Sequence, residues 1–309
     1  MHMKHIKTSL VVVLVVSLLG TLLTACGDNS TNTGESAKTT SAPPATSSDA
    51  NATPTTDSTG GGDVEAIKNR GVLHVGVKNA VVGFGYQDPL TSEYSGMEIE
   101  LAKKIAESLG VDIEFTAVTA ATRTELLDSG DIDCVLATFT ITDERKLSWD
   151  FSTPYYTDYV TVLVENSSNI KALADLKDKK VGVSSGSTSA RALVEALIEA
   201  KLISGEGFDK ETFDPATWKD YVSFQQYDDY PTISTALSAG EVDAFCVDKS
   251  ILAIYNTDSR SFITDKFAPQ EYGVATKKGS DFSTYVDGLI QGWLSDGTVD
   301  QLIKDNNLE

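Results

Sequence analysis

The chain has 309 residues, of which 45 are acidic and 25 are basic, so its formal net charge is −20 at pH 7. Binding of nucleic acid needs a cluster of basic residues, and this acidic chain excludes nucleic acid as a partner. The three cysteines and three histidines form no Cys-x-x-Cys or His-Glu-x-x-His motif, and the sequence has no phosphate-binding glycine loop. We therefore expect no metal site and no cofactor.

The first 26 residues have the pattern of an export signal. A basic leader precedes an apolar run at positions 10–23, which has the length of a signal-peptide core and is short for a membrane span. The sequence Leu-Thr-Ala-Cys at 23–26 resembles the lipobox of bacterial lipoproteins. That resemblance implies a signal peptide at 1–26, lipidation of Cys26, and a mature chain anchored on the extracytoplasmic face of the cell membrane. The alternative is a buried N-terminal helix with a chance cysteine.

Residues 27–62 are almost all Ser, Thr, Ala, Gly, Asn, Asp and Pro. Such a segment cannot bury enough apolar surface to offset its chain entropy, so we expect a disordered tether. The folded part is then predicted to span 63–309.

Strand and helix patterns alternate in the first half of the folded part, which predicts βαβ units and a mostly parallel sheet. The predicted elements are a strand at Val72–Val77, a helix with apolar residues at 97, 101, 105 and 109 that ends at Gly110, a strand around 113–115, a helix at 124–129, and a strand at 132–137.

The second half repeats this alternation. Its predicted elements are a strand around 181–183, a helix at 192–200, a helix that Pro231 opens and Gly240 ends, and a strand at 244–247. The sequence Leu-Asp-Ser-Gly-Asp-Ile-Asp at 127–133 is echoed by Leu-Ser-Ala-Gly-Glu-Val-Asp at 237–243. This repeat predicts two similar α/β lobes with a ligand cleft at the carboxyl ends of their strands.

Three cations stand at or near predicted strand ends in the first lobe. Lys78 follows the strand Val72–Val77, Arg123 precedes the helix at 124–129, and Arg145 follows a threonine-rich loop. Arginine can bind a carboxylate through two parallel hydrogen bonds. These positions favour an anionic ligand, although each cation could instead be an ordinary surface residue.

The loop before Arg145 contains Thr138, Thr140 and Thr142 at alternate positions. In an extended segment, alternate residues share one side, so we expect the three hydroxyls to face the ligand together. Thr142 could also cap a short helix that contains Arg145.

The second lobe contributes a turn and a carboxylate. A Ser/Gly-rich turn ends with Thr188 and Ser189 and opens a helix, where free N–H groups and the helix dipole favour an anion. A plain N-cap is the alternative. Asp248 ends an apolar strand and could bind an ammonium group. Cys134 and Cys246 lie in apolar runs, which favours two buried thiols over a disulfide.

From Val72 to the C-terminus the chain resembles the polar amino-acid-binding proteins of ABC importers, the bacterial family 3 solute-binding proteins. The most specific match is Ala-Thr-Phe-Thr-Ile-Thr-Asp-Glu-Arg-Lys at 137–146, followed by Trp-Asp-Phe-Ser-Thr-Pro-Tyr-Tyr at 149–156. Shorter matches follow the family order at 96–101, 186–189, 242–248 and 272–273.

The resemblance implies a two-lobed α/β fold of the type II periplasmic-binding-protein kind, with a mostly parallel sheet and flanking helices in each lobe. The implied boundaries are 63–158 and 269–309 for lobe 1 and 159–268 for lobe 2. In the family, the arginine matching Arg145 and the start of the second-lobe helix bind the ligand α-carboxylate. The aspartate matching Asp248 binds the α-ammonium group, with the hydroxyl at Thr140 and the backbone at Thr138.

Side-chain selectivity is implied by further matches. Lys78 and Arg123 match the acidic amino-acid binders, in which both reach the ligand's side-chain carboxylate, and Tyr230 matches a ligand-contacting tyrosine there. The three cations and Asp248 sum to +2, so a ligand of net charge −1 leaves the filled site close to neutral. Glutamine would leave an additional buried positive charge unpaired, which is costly.

The sequence thus predicts a monomeric, lipid-anchored binding protein that captures glutamate or aspartate and delivers it to an ABC permease and its ATPase. A glutamine- or asparagine-binding importer component is the first alternative. A dehydratase-type enzyme and a sensor input domain on the same fold are the others. We do not expect an enzyme, because the predicted cleft has no obvious acid or base besides Asp248.

Overall fold

The computed structural model describes residues 62–309. The predicted signal peptide and lipobox, and all of the predicted tether except Gly62, lie outside the described residues. The helices are α1 (Asp63–Arg70), α2 (Met97–Leu109), α3 (Thr122–Ser129), α4 (Asp143–Ser148), α5 (Ser189–Glu199), α6 (Tyr230–Ala239), α7 (Lys249–Leu252), α8 (Asp281–Ser295) and α9 (Thr298–Asp305).

The strands are β1 (Val72–Val77), β2 (Ala80–Val81), β3 (Gly85–Gln87), β4 (Tyr94–Ser95), β5 (Asp112–Ala117), β6 (Cys134–Leu136), β7 (Trp149–Phe151), β8 (Tyr156–Glu165), β9 (Lys179–Ser184), β10 (Val222–Tyr227), β11 (Ala244–Asp248), β12 (Arg260–Phe262), β13 (Phe267–Tyr272) and β14 (Ala275–Lys277).

Two mixed sheets form the main layers. The first has the order β5-β1-β6-β14-β7, and the second has the order β10-β9-β11-β8-β12 with β13 also paired to β8. In each sheet the first three strands are parallel and the remaining strands pair antiparallel. The predicted parallel βαβ units are therefore present, and antiparallel strands extend each of them at one side.

Strand β13 pairs with the first half of β8, from Tyr156 opposite Tyr272 to Val160 opposite Phe267. The lobe boundaries predicted at 158/159 and 268/269 fall inside these two strands. The site described below lies where residues from both sheets meet.

The predicted internal repeat has a physical counterpart. Asp133 donates its N–H to the carbonyl of His74 on β1, and its carboxylate accepts the N–H of His74, both at 2.8 Å. Asp243 makes the same pair of 2.8 Å bonds with Lys180 on β9. The two aspartates thus join equivalent strands in the two sheets, which explains why the same sequence pattern occurs twice.

Most predicted element positions are confirmed, and the differences lie at their ends. Helix α2 ends at Gly110 in the left-handed conformation, and Pro231 lies in the first turn of α6. Helix α3 begins at Thr122, two residues before the predicted start, because Thr119 and Thr122 each accept the other's backbone N–H on a side-chain hydroxyl. Arg123 therefore lies inside the first turn of α3 and not ahead of it.

Both cysteines within the described range are free and buried, which confirms the two buried thiols. No helix within residues 62–309 is long and apolar enough to cross a membrane.

Gly96 begins α2 in a conformation that L side chains rarely adopt, with φ +123°. A Cβ atom there would lie 2.2 Å from the carbonyl oxygen of Phe84. We expect Gly96→Ala to lower the free energy of unfolding by about 1–3 kcal/mol, since both the backbone and the contact are strained. Gly288, inside α8, has no atom within 4 Å of such a Cβ. Gly288→Ala is the matched control and should be neutral or stabilising. Urea titrations check both, and equal stabilities would contradict the strain argument.

Candidate functional site

Lys78 directly follows β1 and is 4% exposed. Its Nζ lies 5.4 Å from the ring centroid of Tyr230, at the start of α6 on the other sheet. Burial, with a smaller contribution from Arg123, lowers the pKa of Lys78 well below its usual range. Lys78 from the first lobe and Tyr230 from the second, both predicted site residues, therefore lie next to each other.

Arg123 is 3% exposed and is oriented by the loop that follows β6. Its Nη1 donates to the carbonyls of Ala137 and Thr138 at 2.9 and 3.2 Å, and its guanidinium lies 3.9 Å from the centroid of the Phe139 ring. Burial lowers the pKa of Arg123. The alternative that Lys78 and Arg123 are surface cations is wrong.

The expectation that three threonine hydroxyls share one side is also wrong. Thr138 has φ +46°, which interrupts the extended geometry that alternation requires. Thr140 donates its hydroxyl to Gln270 Oε1 at 2.8 Å, and the Thr142 hydroxyl accepts the N–H of Arg145 at 3.2 Å as the cap of α4. The helix-cap role considered for Thr142 is therefore confirmed.

Arg145 spans the two lobes and is half-buried. Its Nη1 donates to the Thr140 carbonyl at 2.7 Å, and its Nη2 donates to the Gly186 carbonyl at 3.1 Å. Its guanidinium lies 4.6 Å from the Phe139 ring centroid, so Phe139 contacts both arginines. Two like-charged guanidinium groups therefore lie against the same ring.

The start of α5 has the features of an anion site. Thr188 occupies the N-cap position without a side-chain capping bond, because its hydroxyl donates to Gln270 Oε1 at 2.7 Å. The first N–H groups of α5, from Ser189 onward, are therefore not satisfied by a cap side chain. Ser189 itself is 1% exposed. The plain N-cap alternative is not supported.

Asp248 is the last residue of β11. Its Oδ2 accepts a short hydrogen bond from the hydroxyl of Tyr272. Burial, reinforced by the charge of Asp158, raises the pKa of Asp248 to about 7. Asp158 is buried too and accepts bonds from the backbone of Tyr159 and Ser250.

Four buried side-chain polar atoms within residues 62–309 have no hydrogen-bond partner, and all four belong to this site or to its turn. They are Glu98 Oε2, Arg123 Nε, Ser187 Oγ and Asp248 Oδ1. Buried polar atoms are nearly always paired in folded proteins. A cluster of two acceptors, one cationic donor and one hydroxyl is therefore the pattern expected of a polar binding site.

Sequence reasoning missed two buried carboxyl groups, Glu98 and Asp158. Glu98 stands three and seven residues before Leu101 and Ile105 and so lies on the buried face of α2, where a charged residue is unusual. Asp158 lies at the same every-second-residue spacing as Val160, Val162 and Val164, so it shares their buried side of β8. The spacing of Glu98 and of Asp158 relative to apolar residues could therefore have identified both as buried.

These carboxyl groups change the predicted charge of the site. Lys78, Arg123 and Arg145 contribute three positive charges. Glu98, Asp158 and Asp248 contribute three negative charges when all are ionised. Burial raises the pKa of Glu98, as of Asp248, to about 7. With all six groups ionised the net charge of the site is therefore zero, below the value of +2 counted from four residues.

Comparison with known proteins gives a consistent result. The family of bacterial extracellular solute-binding proteins, family 3, matches residues 73–307. The ABC transporter glutamine-binding protein GlnH of Bacillus subtilis is 32% identical over 246 residues, covering 77% of this chain and 82% of that protein. The glutamate-binding protein GluB of Corynebacterium glutamicum is 29% identical, with 81% and 83% covered.

A solved structure supports the same fold. The amino acid ABC transporter substrate-binding protein AbpA of Streptococcus pneumoniae, bound to L-arginine, superposes with a TM-score of 0.65 at 29% identity. The match covers 78% of this chain and 97% of that one. The predicted two-lobed α/β fold is confirmed.

Proposed function

Since the chain belongs to the bacterial extracellular solute-binding proteins of family 3, we propose that it captures an acidic amino acid, glutamate or aspartate, for an ABC importer. The observation that carries this proposal is the cluster of unpartnered buried polar atoms around Lys78 and Arg123. Burial and the charge of Arg123 lower the pKa of Lys78, so these two buried cations are costly without a counter-anion. A ligand side-chain carboxylate between them would supply that anion.

The amino acid backbone would bind at the other end of the cleft. Its α-carboxylate would accept bonds from Arg145 and from the first N–H groups of α5, taking the place of the Gly186 carbonyl as the partner of Nη2. Its α-ammonium group would donate to the free Oδ1 of Asp248 and to the loop at Thr138 and Thr140. The Oδ1 of Asp248 is unpartnered, and the Nη2 of Arg145 is bound only to the Gly186 carbonyl.

Ligand entry would require the lobes to separate. A cavity of about 30 Å³ lies among Lys78, Ser184 and Tyr230. Its lining includes neither Arg123, Arg145 nor Asp248, so it does not join the two ends of the proposed site. Contacts between the lobes, such as the 3.1 Å ion pair of Arg191 with Glu144, would then re-form around the bound ligand.

The delivery step rests on the N-terminal sequence. A lipid on Cys26 would hold the protein at the extracytoplasmic membrane face, within reach of a permease and its ATPase. Globomycin treatment or a Cys26→Ala variant, followed by membrane fractionation, tests this part. Continued membrane association of the variant would contradict lipid anchoring.

A glutamine-binding role is the second candidate, and the buried Glu98 favours it. With all six charged groups ionised the site has no net charge, and a neutral side chain would then suit it. The similarity to GlnH of Bacillus subtilis points the same way. The ionisation of Glu98 therefore decides whether the charge of the site favours an acidic ligand or glutamine.

The ligand class can be measured directly by isothermal titration of the purified protein with the twenty amino acids. We expect glutamate or aspartate to bind at least about tenfold more tightly than glutamine, asparagine or any basic amino acid, a difference of about 1.4 kcal/mol. Tighter binding of glutamine or arginine would contradict the acidic-ligand assignment. Binding of no amino acid would contradict the proposed function altogether.

A further inference from the structure

We propose that Glu98 is a specificity-determining residue, whose protonation selects between an acidic and an amide side chain in the cleft. This inference rests on the proposed function and concerns the same site. It deepens that function, because it makes the preferred ligand depend on one buried proton.

The geometry places Glu98 where its charge acts on both candidate side-chain cations. Glu98 is 0% exposed in the first turn of α2. Its Oε1 accepts the N–H of Thr138 at 2.7 Å and the hydroxyl of Tyr155 at 2.5 Å, while its Oε2 has no partner. The bond to Thr138 also positions Arg123, because Arg123 donates to the carbonyl of the same residue.

The groups that face Glu98 set its ionisation. They are Lys78 after β1, Arg123 on α3 and Tyr155 before β8, together with the N–H of Thr138. Burial raises the pKa of Glu98 to about 7, and the hydrogen bonds and the two cations oppose this only in part. Glu98 therefore changes charge in the physiological range, unlike a solvent-exposed glutamate.

A ligand carboxylate near Lys78 and Arg123 would repel ionised Glu98 and raise its pKa further, so binding of an acidic amino acid takes up a proton. The affinity for glutamate is then highest below pH 7 and falls as the pH rises. Glutamine brings no side-chain charge and takes up no proton at Glu98. The requirement for ionised Asp248 is common to both ligands and cancels in the ratio of their dissociation constants.

The test measures the ratio Kd(glutamine)/Kd(glutamate) at pH 6, 7 and 8 by isothermal titration. We expect this ratio to fall about tenfold between pH 6 and pH 8 in the wild-type protein, since one proton with a pKa of about 7 is linked to glutamate binding. Glu98→Gln, which keeps an acceptor for Thr138 and Tyr155, should give a ratio that is independent of pH. Glu100→Gln, on the exposed side of α2 and paired with Lys103, is the matched control and should keep the slope.

Three outcomes overturn the inference: a flat ratio in the wild type, an unchanged slope in Glu98→Gln, or binding of neither amino acid. An unchanged slope in Glu98→Gln would assign the pH dependence of the ratio to Lys78. A wild type that prefers glutamine at every pH, but keeps the slope, contradicts the acidic-ligand assignment and still supports the role of Glu98.

Should Glu98→Gln fail to fold, calorimetry of the wild type at pH 7 in two buffers of different ionisation enthalpy replaces it. Glutamate should take up about half a proton more than glutamine does. Equal proton uptake for the two ligands would overturn the inference.

Discussion

Arg145→Ala and Asp248→Asn are each expected to weaken the binding of every amino acid ligand by roughly 2–5 kcal/mol. Arg145, in α4, donates to the Gly186 carbonyl in the turn before α5, and Asp248 has a free buried Oδ1. Removal of either partner would leave a ligand charge desolvated and unpaired. Because the α-carboxylate and the α-ammonium group occur in all amino acids, the loss should be similar for acidic and amide ligands.

Isothermal titration with glutamate, aspartate and glutamine measures this loss. Lys146→Ala, next to Arg145 and exposed, and Asp258→Asn, exposed in the second lobe, are the matched controls and should bind like the wild type. Wild-type affinity in Arg145→Ala or Asp248→Asn would show that these residues do not contact the ligand backbone. Thermal unfolding of each variant separates loss of binding from loss of fold.

Arg123→Met is expected to weaken glutamate and aspartate selectively, by about 1.5–3 kcal/mol, with a much smaller effect on glutamine. Methionine keeps much of the apolar stem against Phe139 and removes the charge that a ligand carboxylate would meet. The preference for acidic ligands over glutamine should therefore become smaller or reverse. Lys78→Met should act in the same direction, because both cations are assigned to the same carboxylate. Lys103→Met, on the exposed face of α2, should change nothing.

Arg123 has a second role that this variant also removes. Arg123 also donates to the carbonyls of Ala137 and Thr138, so its loss could disturb the loop that contributes to the backbone site. Equal large losses for acidic and amide ligands would mean that Arg123 supports the loop and does not read the side chain. Unchanged affinities would mean that the ligand does not reach it. Only a loss confined to the acids supports the assignment.

The family, the position of most elements and the residues at strand ends could all be predicted from sequence. Three local signals predicted the elements. Apolar residues recur with a period of 3.6 in α2, which ends at Gly110, and with a period of 2 in β1. The helix-Gly-strand junction occurs twice, at 127–133 and 237–243. They depend on residues close in the chain, and the repeat even identified Asp133 and Asp243, which make equivalent bonds in the two sheets. Lys78 and Asp248 were found in the same way, as polar residues that end buried strands.

The tertiary structure alone decided how these residues are paired. Thr138 adopts φ +46° and donates its N–H to Glu98, forty residues earlier, and no local pattern shows that contact. Periodicity marks Glu98 and Asp158 as buried, but their ionisation depends on which distant charges pack beside them. The free Oδ1 of Asp248 and the free Nε of Arg123 likewise follow from packing between separate elements. Sequence therefore determined the family, the fold and the chemical type of the site, whereas its charge, and with it the choice of ligand, depends on burial and on contacts between residues far apart in the chain.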